Sequence, residues 1–584
     1  MTQTIIGIIL LGLPFLLATL FKDKKRGFVY LIFGVILFHT ALAFFTQLFG
    51  VFYYSVILWA IIPADVITLG VLWKYRNKIS FKIYKIDWVV ILVIIIAFLS
   101  LYQVHYNYTG KINLATDTTV SYHEVKNMEY AYPYFSDEWY AVSLIKHSVN
   151  SHSLPLWNDL SNSFFLNLEM FFHSFTAEIM LILSLNPLTQ YVLLSIFFNV
   201  LIIILAYVFL RISKVSKLSS AIASLSILYM TCGANLPGIW NLIPVHLGII
   251  FCLIGFCFMA MDNFWLALAA SLPVIFFYGP LFIFYGLALA VFLAIKFKES
   301  IKNHINAIIF SIITILLATP VICIILMISP LFGTVNYIFS RVFYISLYGP
   351  NIATINFYNI IPVWAILLAI LGLPLIFKNK KWLFSVLALG IIYWIFYSFT
   401  ITRFVIEYER VVFFISIIIA IISGFGLQWL EARVRFLKYA WIGALLLFLI
   451  LVPFYTQREG WSKITLANIY NGVRSYPKAP ANNYLTEGDL KIFSGITNKR
   501  FLSLPWKGTV IGVATDNYPL VGKEGIISPG SRSDLLRFGS LDCNGKKNMA
   551  KSYKIDYIYM YNFDCPGFKK TSRSQEGLIL YKVD

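Results

Sequence analysis

Long apolar runs separated by short, lysine-rich turns dominate the chain. Runs long enough to cross a bilayer, about 17–25 residues each, fall at 4–21, 28–49, 52–73, 88–105, 190–210, 218–232, 246–261, 263–277, 280–296, 305–328, 358–377, 382–400, 411–430 and 439–456. This pattern predicts a polytopic α-helical membrane protein of about fourteen spans. The run "SFTAEIMLILSL" at 174–185 is too short to cross and suits a re-entrant or interfacial helix. Two segments break the pattern: a loop at 106–173 and a tail at 457–584. The tail is long enough for an independent domain. Within it "TVIGVAT", "KIDYIYMY" and "GLILYKV" read as strands bounded by Gly, Asn, Pro and Ser. The chain therefore divides into a transmembrane part, 1–456, and a small α/β domain, 457–584.

Composition agrees. Of 584 residues, 59% are hydrophobic and 12% charged, and the mean hydropathy is +0.78. Soluble domains carry roughly 25% charged residues. The formal net charge of +19 would suggest nucleic acid in a soluble protein, but here it follows topology. The turns "KDKKR", "KYRNKISFKIYK", "RISKVSK", "KFKESIK", "KNKK" and "RVRFLK" hold 21 Lys and Arg. The opposite loops hold six: Lys111, Lys126, Lys146, Arg341, Arg403 and Arg410. The positive-inside rule puts the lysine-rich turns in the cytoplasm. The N-terminus, the 106–173 loop and the C-terminal domain are then extracytoplasmic, and no nucleic-acid partner is needed. The opening "MTQTIIGIILLGLPFLLATLF" has no basic residue before its apolar run and "KDKKR" after it, which reads as an anchor rather than a cleavable signal.

Cys232, Cys252, Cys257 and Cys323 lie in or beside spans and read as packing residues. Cys543 and Cys565 share the tail, where they form either a disulfide or two buried thiols.

The chemistry-bearing residues gather in "YFSDEWYAVSLIKHSVNSHSLPLWNDL" (134–160). After Asp137, the residues Ala141, Leu144, Ile145 and Val149 share one helical face, and "SHSLP" ends the run. Ser136 or Asp137 occupies the N-cap. Two readings stay open. Asp137 and Glu138 cap a helix and complement its dipole, or they do chemistry at the outer membrane face with Lys146 and Asp159 close by. A sugar transfer from a lipid phosphate needs a base for the acceptor hydroxyl and cations for the departing phosphate. External arginines beside the membrane are few. Arg403 and Arg410 flank "RFVIEYER", and Arg341 lies in "FSRVFYISLYGPN". Arginine grips phosphate with two prongs, although each of these could equally snorkel to the interface, and Arg410 could pair with Glu407. Glu169 and His173, four apart, supply two of the ligands a divalent metal would need. Asp65, inside the third span, signals a cavity, a pair or a function. Glu178 lies in the short run, and His147 and His152 read as loop polar residues.

The phrases "SDEWYAVSLI" and "HSLPLWNDL" resemble the glycosyltransferase C superfamily. Its members include protein O-mannosyltransferases, the lipid A aminoarabinose transferase and oligosaccharyltransferase catalytic subunits. The tail phrase "YKIDYIYMYNFDCPG…SQEGLILYKV" is similar to the end of many such enzymes' soluble domains. The likeness covers topology across most of the chain and local motifs over about thirty residues. Two departures stand out: the acidic loop follows the fourth span rather than the first, and the tail lacks a WWDYG-type acceptor motif, for which "REGWSK" around Trp461 is no substitute. The second argues against a sequon-reading oligosaccharyltransferase. The resemblance implies inverting transfer from a polyprenyl-phosphate-linked sugar to an acceptor glycan, lipid or protein, within the membrane lipid. It implies Asp137 as general base and Glu138 orienting the acceptor or a divalent metal. Arg410, Arg403, Arg341 and Lys146 would meet the donor phosphate and Asp159 the acceptor. A transporter or flippase for lipid-linked glycans, and a non-catalytic glycolipid-binding scaffold, remain as alternatives.

Overall fold

The computed structural model describes residues 2–78, 87–106, 108–115, 120–133, 136–164, 166–230, 241–299, 361–399, 408–434, 484–522 and 537–584, with 238, 406, 440, 443 and 535. Helices stand where the apolar runs predict them. In chain order they begin with α1 (Thr2–Gly12), prolonged by a 3-10 turn over Leu13–Leu20, α2 (Lys24–Leu48), α3 (Tyr54–Lys74) and α4 (Trp88–Tyr106). The long loop follows. It holds a hairpin of β1 (Tyr108–Ala115) and β2 (Val120–Met128), then α5 (Ser136–Ser151) and a two-residue pair, β3 (Trp157–Asn158) with β4 (Ser163–Phe164). Next come α6 (Met170–Ile182), α7 (Tyr191–Ile212), α8 (Lys217–Leu225), α9 (Pro244–Ala260), α10 (Phe264–Ala269), α11 (Ser271–Tyr278) and α12 (Phe282–Glu299). The bundle closes with α13 (Val363–Asn379), α14 (Lys381–Phe399) and α15 (Tyr408–Arg433). Among the described residues, six helical stretches are long and apolar enough to cross a membrane and six more are apolar but shorter. The expected span 305–328 and all but residues 440 and 443 of 439–456 lie outside the described residues, as do Cys232 and Cys323.

The stretch 264–295 reverses on itself. The Tyr285 hydroxyl donates to the Ala267 carbonyl, whereas a straight helix would hold these residues about 27 Å apart. Gly279 and Pro280 make the reversal, so two helices stand here, in line with the two runs at 263–277 and 280–296. Close packing elsewhere rests on glycine. A Cβ at Gly426 of α15 would collide with the Leu368 carbonyl of α13, and one at Gly372 would lie 2.7 Å from the Ile422 carbonyl oxygen. Such small residues let apolar helices approach where lipid offers no hydrophobic drive.

The bundle has two chemically distinct ends. At one, Asp87 accepts from the Tyr207 hydroxyl at 3.0 Å and pairs with Lys217 at 3.3 Å. Glu431, at the end of α15, accepts from Ser216 at 2.5 Å and Ser219 at 2.9 Å. These residues belong to or adjoin the lysine-rich turns. At the other end lie the starts of α5, α7, α9 and α15. Along α15 the two ends are about 32 Å apart, close to the roughly 30 Å of bilayer hydrocarbon. The helix α6 follows the loop and precedes the start of α7, so it enters and leaves at this second end. Twelve of its thirteen residues are buried, which fits the re-entrant alternative and not an interfacial one, since an interfacial helix leaves a polar face in water.

The C-terminal domain comprises α16 (Glu487–Ile492), β5 (Arg500–Ser503), α17 (Pro505–Thr515), β6 (Tyr518–Pro519), α18 (Cys543–Ser552), β7 (Tyr557–Met560), β8 (Phe568–Arg573) and β9 (Ile579–Val583). Its five strands run in the order β6-β5-β7-β9-β8. β5 is parallel to β6 and β7, while β9 is antiparallel to β7 and β8. Two of the three strands read from the sequence stand. The third does not: "TVIGVAT" lies in α17. Its β-branched residues favour a strand only weakly. Pro505 at the first turn starts a helix instead, and burial of Lys507 through Val513 against the sheet and loop fixes it. Cys543 and Cys565 form a disulfide, worth about 3 kcal/mol for a loop of this size.

Candidate active site at the non-basic end of the bundle

Helix α5 forms because its apolar residues recur at helical spacing and its first turn is acidic. Trp139, Val142, Leu144 and Ile145 are wholly buried, so the helix lies pressed onto the bundle mouth and its first turn is held in place. Asp137 sits in that turn and Arg410 near the start of α15. Arg410 Nη2 donates to Asp137 Oδ2 at 2.8 Å. The two side chains are 12% and 22% exposed, the arginine the less. They form a charge-assisted contact open to solvent on one side.

Glu138 has a different role from its neighbour. It is fully buried and accepts the Leu242 N–H at 2.8 Å. The Leu242 carbonyl takes the Tyr191 hydroxyl at 2.5 Å, and Asn199 donates to the Asn241 carbonyl at 2.9 Å. One imidazole nitrogen of His246 lies 2.9 Å from the Gly238 carbonyl oxygen. The strand-like run into α9 is thus pinned beneath α5, with Glu138 as one of its anchors.

The remaining candidates separate. Lys146 Nζ donates to the Val513 carbonyl at 2.7 Å and to Asp516 Oδ1 at 2.8 Å. It faces the C-terminal domain, nine residues from Asp137. Asp159 lies 2.9 Å from His147 Nδ1. Arg403, Arg341 and Glu407 lie outside the described residues. His173 Nδ1 is 3.0 Å from the Glu169 carbonyl and 3.1 Å from the Asn167 amide nitrogen, and Glu169 takes the N-cap position of α6. A metal needs three or more such ligands. Among the described residues no group of three His, Cys, Asp or Glu side chains comes together, so no third such ligand joins Glu169 and His173 there.

Sequence reasoning missed two arrangements. Glu178 meets His39 of α2 at 2.8 Å, Nδ1 to Oε1, both buried. Asp65 is also buried, and neither of its oxygens finds a hydrogen-bond partner among the described residues. The only sequence signal for His39 was a lone imidazole within the 28–49 run. In the C-terminal domain, Lys507 is wholly buried between Asp489 at 2.5 Å and Glu576 at 2.7 Å, and Asp489 also accepts the Tyr559 hydroxyl at 2.8 Å. Burial first, and then the Asp489 charge, hold the Tyr559 phenol far above its ordinary value, so it remains a donor.

No protein-family model matches the chain, and no curated protein does. The chain is similar to solved structures of archaeal oligosaccharyltransferase. One is the apo crystal structure of the Archaeoglobus fulgidus enzyme, at 14% identity over 82% of this chain and 70% of that one, TM-score 0.42. A second is the same organism's AglB with an inhibitory peptide and a dolichol-phosphate, at 13% identity over 82% and 70%, TM-score 0.42. A third, tethered to an acceptor peptide containing the NVT sequon, has 11% identity over 86% and 74%, TM-score 0.45.

Proposed function

We propose that this chain is an integral-membrane glycosyltransferase that moves a sugar from a polyprenyl-phosphate-linked donor to an acceptor outside the cytoplasm. The observation that carries the reading is the Asp137–Arg410 contact at the bundle end opposite the lysine-rich turns. It joins the two groups such a reaction needs: a carboxylate for a hydroxyl proton and a guanidinium for a phosphate. In the reaction the acceptor oxygen attacks the anomeric carbon while Asp137 takes the hydroxyl proton. The bond from that carbon to the phosphate oxygen breaks, and the carrier phosphate leaves with the electron pair. Arg410 leaves Asp137 for the phosphate as the donor arrives, which frees the base when it is needed. Arg403 and Arg341 are proposed as further phosphate contacts. The apolar helices receive the isoprenoid chain, and the C-terminal domain covers the site and faces the acceptor, be it glycan, lipid or protein. No step is routed through the divalent metal suggested with Glu169 and His173, for which no third ligand stands among the described residues.

The test is Asp137→Asn, assayed for transfer from polyprenyl-phosphate sugars with purified protein in lipid. A general base is worth about 10²–10⁴ in rate, so a fall of that size is expected; unchanged turnover removes Asp137 from the role. A second reading has its own support. Buried ionisable groups within spans mark transport pathways, and His39, Glu178 and Asp65 are such groups. Flux of a lipid-linked glycan into proteoliposomes, undiminished in the Asp137→Asn protein and lost in His39→Ala, would favour a transporter.

A further inference from the structure

The helix α17 touches the long loop near its C-terminus and is tied to it near its N-terminus through residues 484–489. At its C-terminus the chain turns through Asp516, whose φ is +54°, and the exposed helix carbonyls meet a cation: Lys146 of α5 donates to the Val513 carbonyl and to Asp516. A lysine at a helix C-terminus satisfies an orphan carbonyl and complements the dipole. Between the ends, Gly512 lies against the loop, where a Cβ would come within 2.8 Å of Leu160 Cδ2. Near the N-terminus, Lys507 is locked between Asp489 and Glu576. Asp489 belongs to a capping box with Thr486. The next residue back, Leu485, donates its N–H to the Tyr130 hydroxyl at 3.1 Å, and the rings of Tyr130 and Tyr484 stack at 4.9 Å. Tyr130 lies six residues before α5. The helix α17 therefore grips α5 near its far end, and the 484–489 segment bonded to its Lys507 grips the loop just ahead of α5.

We infer that α17 is the clamp by which the C-terminal domain sets the position of α5, with Lys146 and Tyr130 as its two positioning residues on the loop. Neither touches the reacting atoms. Both act through the placement of Asp137, which lies between them in the chain. The consequence for activity rests on the glycosyltransferase reading, but the clamp itself does not.

The experiment uses the full chain in detergent or nanodiscs and two substitutions. Lys146→Met removes both bonds to α17 and keeps the apolar stem, while Lys146→Arg keeps a cation in place. Hydrogen exchange is followed over α5 and, as a control, over α9 and β7. With Lys146→Met, amides of α5 are expected to exchange about tenfold faster while α9 and β7 stay unchanged, and Lys146→Arg restores protection. Tyr130→Phe, which removes only a hydroxyl, is expected to give a smaller rise, and the double substitution a rise beyond the product of the two. Where transfer is measurable, Lys146→Met lowers kcat about tenfold and leaves the donor KM unchanged. Unaltered exchange of α5 in the double variant overturns the clamp, whatever the activity does. Faster exchange in a protein whose parent transfers no sugar upholds the clamp and removes the glycosyltransferase reading instead.

Discussion

Two ionic clusters in this molecule are built on opposite plans. Around Lys507 the charges are nearly sealed: the lysine and Asp489 are buried, the Glu576 side chain is 6% exposed, and Thr486, Tyr559 and the Tyr484 carbonyl complete the hydrogen bonds. At the bundle mouth, Asp137 and Arg410 keep a fifth and an eighth of their surfaces in solvent. A closed network has no vacancy for a reactant and costs several kcal/mol to break. A half-open pair can exchange one partner for an incoming phosphate or hydroxyl. Under the proposed function, the contrast separates scaffold from chemistry among groups of the same type.

Breaking the sealed cluster should have the largest effect. Lys507→Met leaves two carboxylates buried together and is expected to destabilise the C-terminal domain by about 3–5 kcal/mol, seen as an early transition in chemical denaturation followed by near-ultraviolet dichroism. At the open pair, Arg410→Ala is expected to cost transfer about 10²–10³-fold while the melting temperature moves little, a split that would vanish if Arg410 were only a structural partner. Cys543→Ser with Cys565→Ser should remove about 3 kcal/mol from the C-terminal domain without touching the Asp137 site; limited proteolysis across 540–570 reads it. Thr486→Ala, which removes one half of a capping box at the rim of the sealed cluster, should cost only about 1 kcal/mol. If Thr486→Ala instead matched Lys507→Met, the cluster would be less closed than its geometry indicates.

What could be read from the sequence follows the range of the forces involved. Apolar runs report burial in lipid directly, so most helices begin and end within a few residues of their expected limits. The candidates Asp137 and Arg410 were each visible as a charge at the edge of an apolar run. Their pairing was not, since 273 positions separate them and only the folded chain brings the first turn of α5 within reach of the start of α15. Glu138 was expected to orient the acceptor or a metal; one step along a helix turns a side chain by about 100°, here from the mouth into the bundle, where it accepts the buried Leu242 N–H. "TVIGVAT" failed as a strand for a related reason: the local preference of β-branched residues yields to a proline start and a buried face. Lys507 gave no signal at all. A lysine among apolar residues in a tail reads as surface until its two acidic partners, 18 and 69 positions away, are known.

Helix α15 carries Arg410 at one tip and Glu431 near the other, and it is almost wholly enclosed by its neighbours. A stiff rod tagged at both tips cannot twist locally. A turn of the whole helix that pulled the guanidinium off Asp137 would also draw Glu431 from Ser216 and Ser219. A spectroscopic label beside Ser216 would therefore tell such a turn from a swing of the Arg410 side chain alone, at a distance of some 30 Å.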